Sequence, residues 1–489
     1  MTRPHFDVVL RNGLIVDGTG GPAFAADVAI AGDRIARIGS LHGESAVLDI
    51  DVRGLVVSPG FIDVHTHDDA ALIVRPQMTA KVTQGVTTVI GGNCGISGAP
   101  YDRQSAPPGL LRLVFKSDRC TASTFAEYAA KVQEAAPAVN AGFLTGHCTL
   151  RMQVMGDDLR RSSTPDETKQ MKQLLSDCLQ QGSFGLSTGL YYPPARAAAT
   201  GEVIEIAAAL REHGGIYTSH IRDEGDRVME SLEEALLIGR EAGVTTIVSH
   251  HKCMGQRNFG RSVETLALLA EAKQRQHVAW DVYPYTAAST VLIEDLVAMS
   301  SRTLVTWCDH HPEYCARYLD DIAQELRCTP VEAISKLQPA GAVYFIMDEA
   351  DVTRILSSPE AMIGSDGLPE DVHPHPRLWG TFPRVLGRYV RERAVLSLES
   401  AIHRMTGLSA HHFGLRDRGR LAEGMRADLC VFDPASVCDS ATFERPATPA
   451  VGIHHVLVNG ALALRDGVPT DARAGRVLLR QECQSALDS

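Results

Sequence analysis

Two histidines separated by a single residue close an apolar run in Ser58-Pro59-Gly60-Phe61-Ile62-Asp63-Val64-His65-Thr66-His67. Alternate residues of a strand share a face, so His65 and His67 can reach one metal ion. Pro59 and Gly60 just ahead of the run mark a strand that enters a core rather than a solvent-facing loop. Chemistry-bearing residues end other apolar runs in the same way: Cys94 after Val89-Ile90-Gly91-Gly92-Asn93, His220 after Tyr217-Thr218-Ser219, His250 after Ile247-Val248-Ser249, and Asp366 after Met362-Ile363-Gly364-Ser365. Imidazole nitrogen, thiolate and carboxylate are donors that Zn²⁺ accepts, and a catalytic zinc keeps a position open for water. Any one of these residues has an ordinary structural explanation; six at equivalent places form a pattern. His147, His251, His373 and His375 read as supporting or solvent-facing residues, and His412 as a helix-cap or surface residue.

The elements that must position them alternate strand-like and helical text. Apolar runs at 57–65, 87–91, 141–145, 185–188, 216–219, 245–249, 278–282 and 361–364 give eight strands, with helical stretches such as 228–242 and 262–276 between them. That order predicts a parallel α/β sheet closed into a (β/α)8 TIM-like barrel, in which chemistry gathers at the C-terminal ends of the strands. The barrel is expected over residues 58–415, with an insertion at about 286–343 that breaks the alternation and serves as a lid over the mouth. Short glycine-punctuated strands before residue 57 return after 416, so residues 1–57 and 416–480 are expected to form one small β-sandwich domain built from both chain ends.

Composition narrows the functional classes. The 489 residues are 44% hydrophobic and 22% charged, ordinary values for a globular protein with a sizeable core. A net charge of -12 disfavours nucleic acid or an anionic membrane as partner, and no apolar run is long enough for a spanning helix. Eleven scattered cysteines without paired spacing read as reduced thiols, and with no apolar leader after Met1-Thr2-Arg3-Pro4 the expected location is cytoplasmic.

Taken together, Gly60 to His67, Gly91-Gly92-Asn93-Cys94-Gly95, Ser219-His220-Ile221-Arg222, Ser249-His250-His251-Lys252, Gly364-Ser365-Asp366-Gly367 and Gly424-Met425-Arg426-Ala427-Asp428 resemble the amidohydrolase superfamily, and within it the N-acyl-D-amino-acid deacylases (D-aminoacylases). The resemblance spans nearly the whole chain, and Cys94 is its specific element, standing where most binuclear members use a carboxylated lysine. It implies a zinc held tightly by Cys94, His220 and His250, a second, weaker position at His65 and His67, and Asp366 as general acid/base. The expected reaction is hydrolysis of an N-acyl-D-amino acid to a carboxylate and a free D-amino acid, with His67 also able to donate to the oxyanion.

Such a substrate carries an α-carboxylate that needs charge-assisted partners. Lys252, two residues past His250, Tyr283 at another strand end, and Arg377, eleven residues past Asp366, are the candidate clamp. Arg302 in the lid is the candidate reader of a second carboxylate, favouring acidic side chains such as D-glutamate, and Tyr192, beside Tyr191, is a candidate pocket wall. Two rivals are a cyclic-amide hydrolase of the hydantoinase or dihydroorotase type, which would bring a bridging lysine in place of Cys94, and a silent scaffold, which would have no reason to keep the set. Oligomeric state is not legible.

Overall fold

A computed structural model describes residues 5–102, 109–116 and 118–485 of the chain, so the Met1 to Pro4 part of the N-terminal segment lies outside the described residues. Eight parallel strands carry the runs identified above: β1 (Phe61–Asp63), β2 (Val86–Gly91), β3 (Asn140–Phe143, continued by Thr145–Gly146), β4 (Gly185–Gly189), β5 (Ile216–His220), β6 (Thr246–Val248), β7 (Val278–Val282) and β8 (Ala361–Ile363). The first part of β3 pairs with β2 and its continuation with β4, so the break at Leu144 joins two stretches of one wall. A bridge between Thr66 and Gly367 closes β1 onto β8.

One core cluster takes Ile62, Ile90, Leu144, Ile216, Ile247, Ala279 and Met362, one side chain from each of seven strands, with Phe184 beside the start of β4, all at 4% exposure or less. Packed against them are Leu408, Ala410 and Phe413 of the helix Gly407–Phe413. This plug fills one end of the barrel and sets the phase of every strand. Because the side-chain period is two, residues two and four beyond the plug share its inward face: Asp281 after Ala279, and Thr218 and His220 after Ile216. Amphipathic helices such as Pro165–Gln180, begun by a Thr164–Glu167 capping box, and Val228–Ala242 lie between the strands in sequence.

Strands from the two chain ends share a single nine-stranded sheet, in which Val56–Pro59 lies between Phe6–Ile15 and Leu429–Phe432. One strand runs from Phe6 to Ile15 through a bulge at Asn12-Gly13. Asn12 adopts a φ of 63°, and a Cβ on Gly13 would meet Val57 Cγ2 at 2.8 Å. Between β7 and β8 lies the insertion that breaks the alternation. It contains a three-stranded antiparallel sheet, Ala287–Val291, Ala340–Phe345 and Arg302–Cys308, alongside the helices Glu294–Met299, Leu319–Glu325 and Pro330–Leu337. The β-branched and aromatic text of Thr303-Leu304-Val305-Thr306-Trp307 explains its strand. Among the described residues, no helix is long and apolar enough to cross a membrane.

Candidate metal centre and active site

Four donors meet at the open end of the barrel. Cys94 Sγ lies 3.2 Å from His65 Nε2 and 3.3 Å from His250 Nε2, while His65 Nε2 stands 3.6 Å from Asp366 Oδ1. The donor atoms of His65, Cys94, His250 and Asp366 all fall within 4.8 Å of one another, and so do those of a second group, His220, Glu224 and His250. His67 Nε2 points at Asp366 Oδ1, 3.2 Å away, and its ring centroid is 5.7 Å from that of His65. Three of these residues, Cys94, His250 and Asp366, hold left-handed backbones, with φ of 52°, 35° and 50°. Non-glycine residues tolerate that conformation only where the surroundings enforce it, and such strain clusters at functional sites.

Carboxylates aim the ring nitrogens that the donors leave over. Asp281 Oδ2 lies 3.2 Å from His65 Nδ1, and Asp281 Oδ1 accepts the His250 backbone N–H at 2.9 Å. Glu224 Oε1 stands 3.0 Å from His250 Nδ1 and 2.6 Å from Lys252 Nζ. The sequence reading missed both acids. Asp281 had a visible signal, an acidic residue inside an apolar strand; Glu224 sits in the loop text Asp223-Glu224-Gly225-Asp226 and follows no apolar run.

The electrostatics favour a cation. Burial alone would raise the Cys94 thiol, but the positive charges of His65 and His250, with a hydrogen bond from His250, hold it well below the usual thiol range. Burial would likewise raise Asp366, yet Arg377, His250 and His67 keep it well below the ordinary carboxylate range. A buried thiolate and a buried carboxylate require positive charge, which a divalent ion supplies in place of imidazole protons. Neither ring nitrogen of buried His220 has a hydrogen-bond partner, nor has His67 Nδ1. Buried polar groups are rarely left so, and burial keeps His220 in its neutral, metal-binding form. The residues present fit zinc.

Beside the donors, Arg377 Nη2 reaches Asp366 Oδ2 at 3.0 Å and donates to the Ser289 carbonyl at 3.2 Å. Its guanidinium carbon stands 4.6 Å from the Tyr283 ring centroid, with Lys252 Nζ 5.6 Å from the same ring. The Tyr283 hydroxyl and Arg377 Nε and Nη1 are buried without partners, free to meet an anion. Tyr192 covers the other side, its ring 4.8 Å from that of His220, and Thr290 Oγ1 donates to its hydroxyl at 3.3 Å. Arg302 is not brought to this group. It begins the strand Arg302–Cys308 at an exposed position, and its guanidinium lies 3.1 Å from the Tyr318 ring centroid. A strand alternates its faces, and this one places Arg302 on Tyr318 rather than over the donors.

This fold and site define a metal-dependent hydrolase, and the chain belongs to the amidohydrolase family: the Amidohydrolase family model matches residues 49–463. D-aminoacylase of Alcaligenes xylosoxydans xylosoxydans is 50% identical over 475 residues, spanning 97% of this chain and 98% of that protein. N-acyl-D-aspartate deacylase of the same organism is 48% identical over 474 residues, 96% and 95% of the two chains. The crystal structure of N-acyl-D-glutamate deacylase from Bordetella bronchiseptica, complexed with zinc and a phosphonate mimic of the reaction's tetrahedral intermediate, superposes with a TM-score of 0.94 at 44% identity, over 97% of this chain and 99% of that one.

Proposed function

We propose that this protein hydrolyses the amide bond of N-acyl-D-amino acids with zinc, releasing a carboxylate and a free D-amino acid. The observation that carries the reading is the Cys94 thiolate set between His65 and His250 beside Asp366, in a chain half identical to a D-aminoacylase along its full length. Cys94, His220 and His250 would hold the tight ion, and His65 and His67 would offer a second, weaker position. Zinc, when bound, polarises the acyl carbonyl and makes water nucleophilic at neutral pH. Asp366 Oδ1 takes the proton of the attacking water and returns it to the departing amide nitrogen. His67 Nε2, 3.2 Å from that oxygen, donates to the developing oxyanion. Arg377 Nε and Nη1 and the Tyr283 hydroxyl, each lacking a partner, bind the α-carboxylate, and Lys252 contributes a charge that it shares with Glu224.

The substrate is thus a small molecule, consistent with a chain whose net charge of -12 suits no polyanion. Eleven unbridged cysteines suit the reducing cytoplasm. The deciding experiment assays N-acetyl-D- and N-acetyl-L-methionine, -aspartate and -glutamate on enzyme of measured zinc content. Turnover confined to D-substrates and lost on chelation is expected; equal turnover of both hands, or activity independent of metal, sinks the reading.

A further inference from the structure

Tyr192 and Thr290 meet at the wall of the site, and the residues next to each of them in sequence line a cavity. Tyr192 is 6% exposed, its ring is packed on His220, and its hydroxyl accepts from Thr290. The residues that follow it, Pro193 and Pro194, start a short helix and form one side of a cavity of about 590 Å³; those that follow Thr290, Val291 and Leu292, form another. Leu110, Met152, Trp307 and Pro339 continue a mainly apolar lining, with Arg112, Asp157 and Gln338 as its polar members. A space of that size and character suits a small apolar ligand group. None of the metal donors, and none of the candidate carboxylate clamp, lines it.

The orientation of the scissile bond says which part of the substrate faces this wall. The donor atoms fall into two groups that share only His250, one containing Asp366 and the other His220. Asp366 delivers the proton to the leaving nitrogen, and Arg377, 3.0 Å from Asp366, takes the α-carboxylate on the carbon that the nitrogen carries. The substituent on the acyl carbon projects from the opposite end of the amide, toward His220 and the tyrosine stacked on it. We propose, on the basis of the hydrolase reading above, that the Tyr192–Thr290 contact sets the acyl-length limit and that the apolar cavity behind it is the space an alkyl acyl chain occupies once that contact is withdrawn. With the contact closed, the site takes short acyl groups. With it open, each methylene that enters the cavity adds about fourfold to kcat/KM, since burial of one CH₂ changes an equilibrium by that factor.

The test is an acyl-length series on one amino acid: N-acetyl-, N-butanoyl- and N-octanoyl-D-methionine with the zinc-loaded full-length enzyme, its Tyr192→Ala and Thr290→Val variants, and the Tyr192→Ala, Leu292→Trp double variant. Wild type is expected to lose kcat/KM as the chain lengthens. Tyr192→Ala should raise the octanoyl-to-acetyl ratio by about tenfold or more, Thr290→Val by less, and the tryptophan that fills the cavity should reverse the gain. An unchanged ratio in a Tyr192→Ala enzyme that still cleaves the acetyl substrate overturns the proposal, as does a gain in the double variant equal to that in the single. A gain seen only for larger D-side chains on acetyl substrates also overturns it, because the cavity then receives the side chain. Should Tyr192→Ala turn over nothing, thermal protection by the product octanoate reads the cavity directly: protection above that of wild type supports the proposal, and equal protection rejects it. Failure of wild type on every N-acyl-D-amino acid would instead remove the hydrolase reading, and the octanoate measurement separates the two failures.

Discussion

Cys94 is the residue on which the metal assignment turns, because it is the donor within 3.3 Å of both His65 and His250. Cys94→Ala is therefore expected to lose most of the zinc and nearly all activity, whereas Cys430→Ala, at a buried thiol that its surroundings push up and keep protonated, should keep both. Metal analysis of the two purified variants decides; full zinc occupancy without Cys94 would show that the ligand set is wrong. Asp366 makes a separable prediction. Asp366→Asn preserves shape but cannot accept a proton, so kcat should fall by about 10²-fold or more while zinc content holds. The third concerns Arg302, whose side chain rests on Tyr318 at an exposed position. Exposed cations contribute little, so Arg302→Leu should change the ratio of kcat/KM for N-acetyl-D-glutamate over N-acetyl-D-methionine by less than about threefold. A selective loss of the acidic substrate would return the residue to the site.

At the scale of elements, the position of Asp366 depends on a buried polar cluster between β1 and β8. Lys81, in the helix Thr79–Val82, donates to Asp63 (2.6 Å), Thr66 Oγ1 (2.9 Å) and Ser365 Oγ (3.0 Å), and lies 3.1 Å from Asp68. The Ser365 backbone N–H and hydroxyl both donate to Asp63, at 2.8 and 2.6 Å, while the Asp366 N–H donates to the His65 carbonyl at 2.7 Å. One ammonium thus ties the strand of the two histidines to the loop that holds Asp366 in its left-handed backbone. Lys81→Met would leave Asp63 and Asp68 buried without their cation, a loss of about 3 to 5 kcal/mol. Denaturant titration should show that loss, and kcat should fall more than KM rises, because the clamp residues Arg377 and Tyr283 stand on other segments. A stability change under about 1 kcal/mol would mean that water replaces the ammonium.

For the molecule as a whole, acid stability has an identifiable contributor away from the metal. His412, in the helix Gly407–Phe413, is lowered to about 4, chiefly by burial, then by His411, with Glu360 opposing. In the unfolded chain it titrates near 6.5. A group whose pKa is depressed by folding favours the native state above the unfolded value, so its contribution is complete above pH 6.5 and is lost as the pH falls from there toward 4. The loss amounts to roughly 2 to 3 kcal/mol. His412→Gln, which carries no proton to gain, should flatten that limb. Tm measured at pH 7.5 and pH 5 should fall less in the variant than in wild type, and equal falls would place the acid sensitivity elsewhere.

How much of this was written in the sequence follows from the range of the interactions involved. Strand phase is a local property, so the eight apolar runs and the polar residues at their ends were legible: a period of two, counted from Ile216 or Ala279, already places His220 and Asp281 on the inward face. The fold class and five of the donors followed from that count and from the resemblance it carried. The insertion was legible as a break in the alternation, but its sheet was not, because its strands pair only with one another across long separations. What the tertiary structure alone decided was company. The left-handed backbones of Cys94, His250 and Asp366 have no signature in residue type. Glu224 becomes a partner of His250 and Lys252 only where two loops meet, and Lys81 joins β1 to β8 across 284 residues. Arg302 carried the same charge in either reading, but the pairing of its strand set that charge on Tyr318. The sequence supplied the chemical groups and their local direction; closure of the barrel determined which of them stand within reach of one another, because that depends on contacts no local pattern encodes.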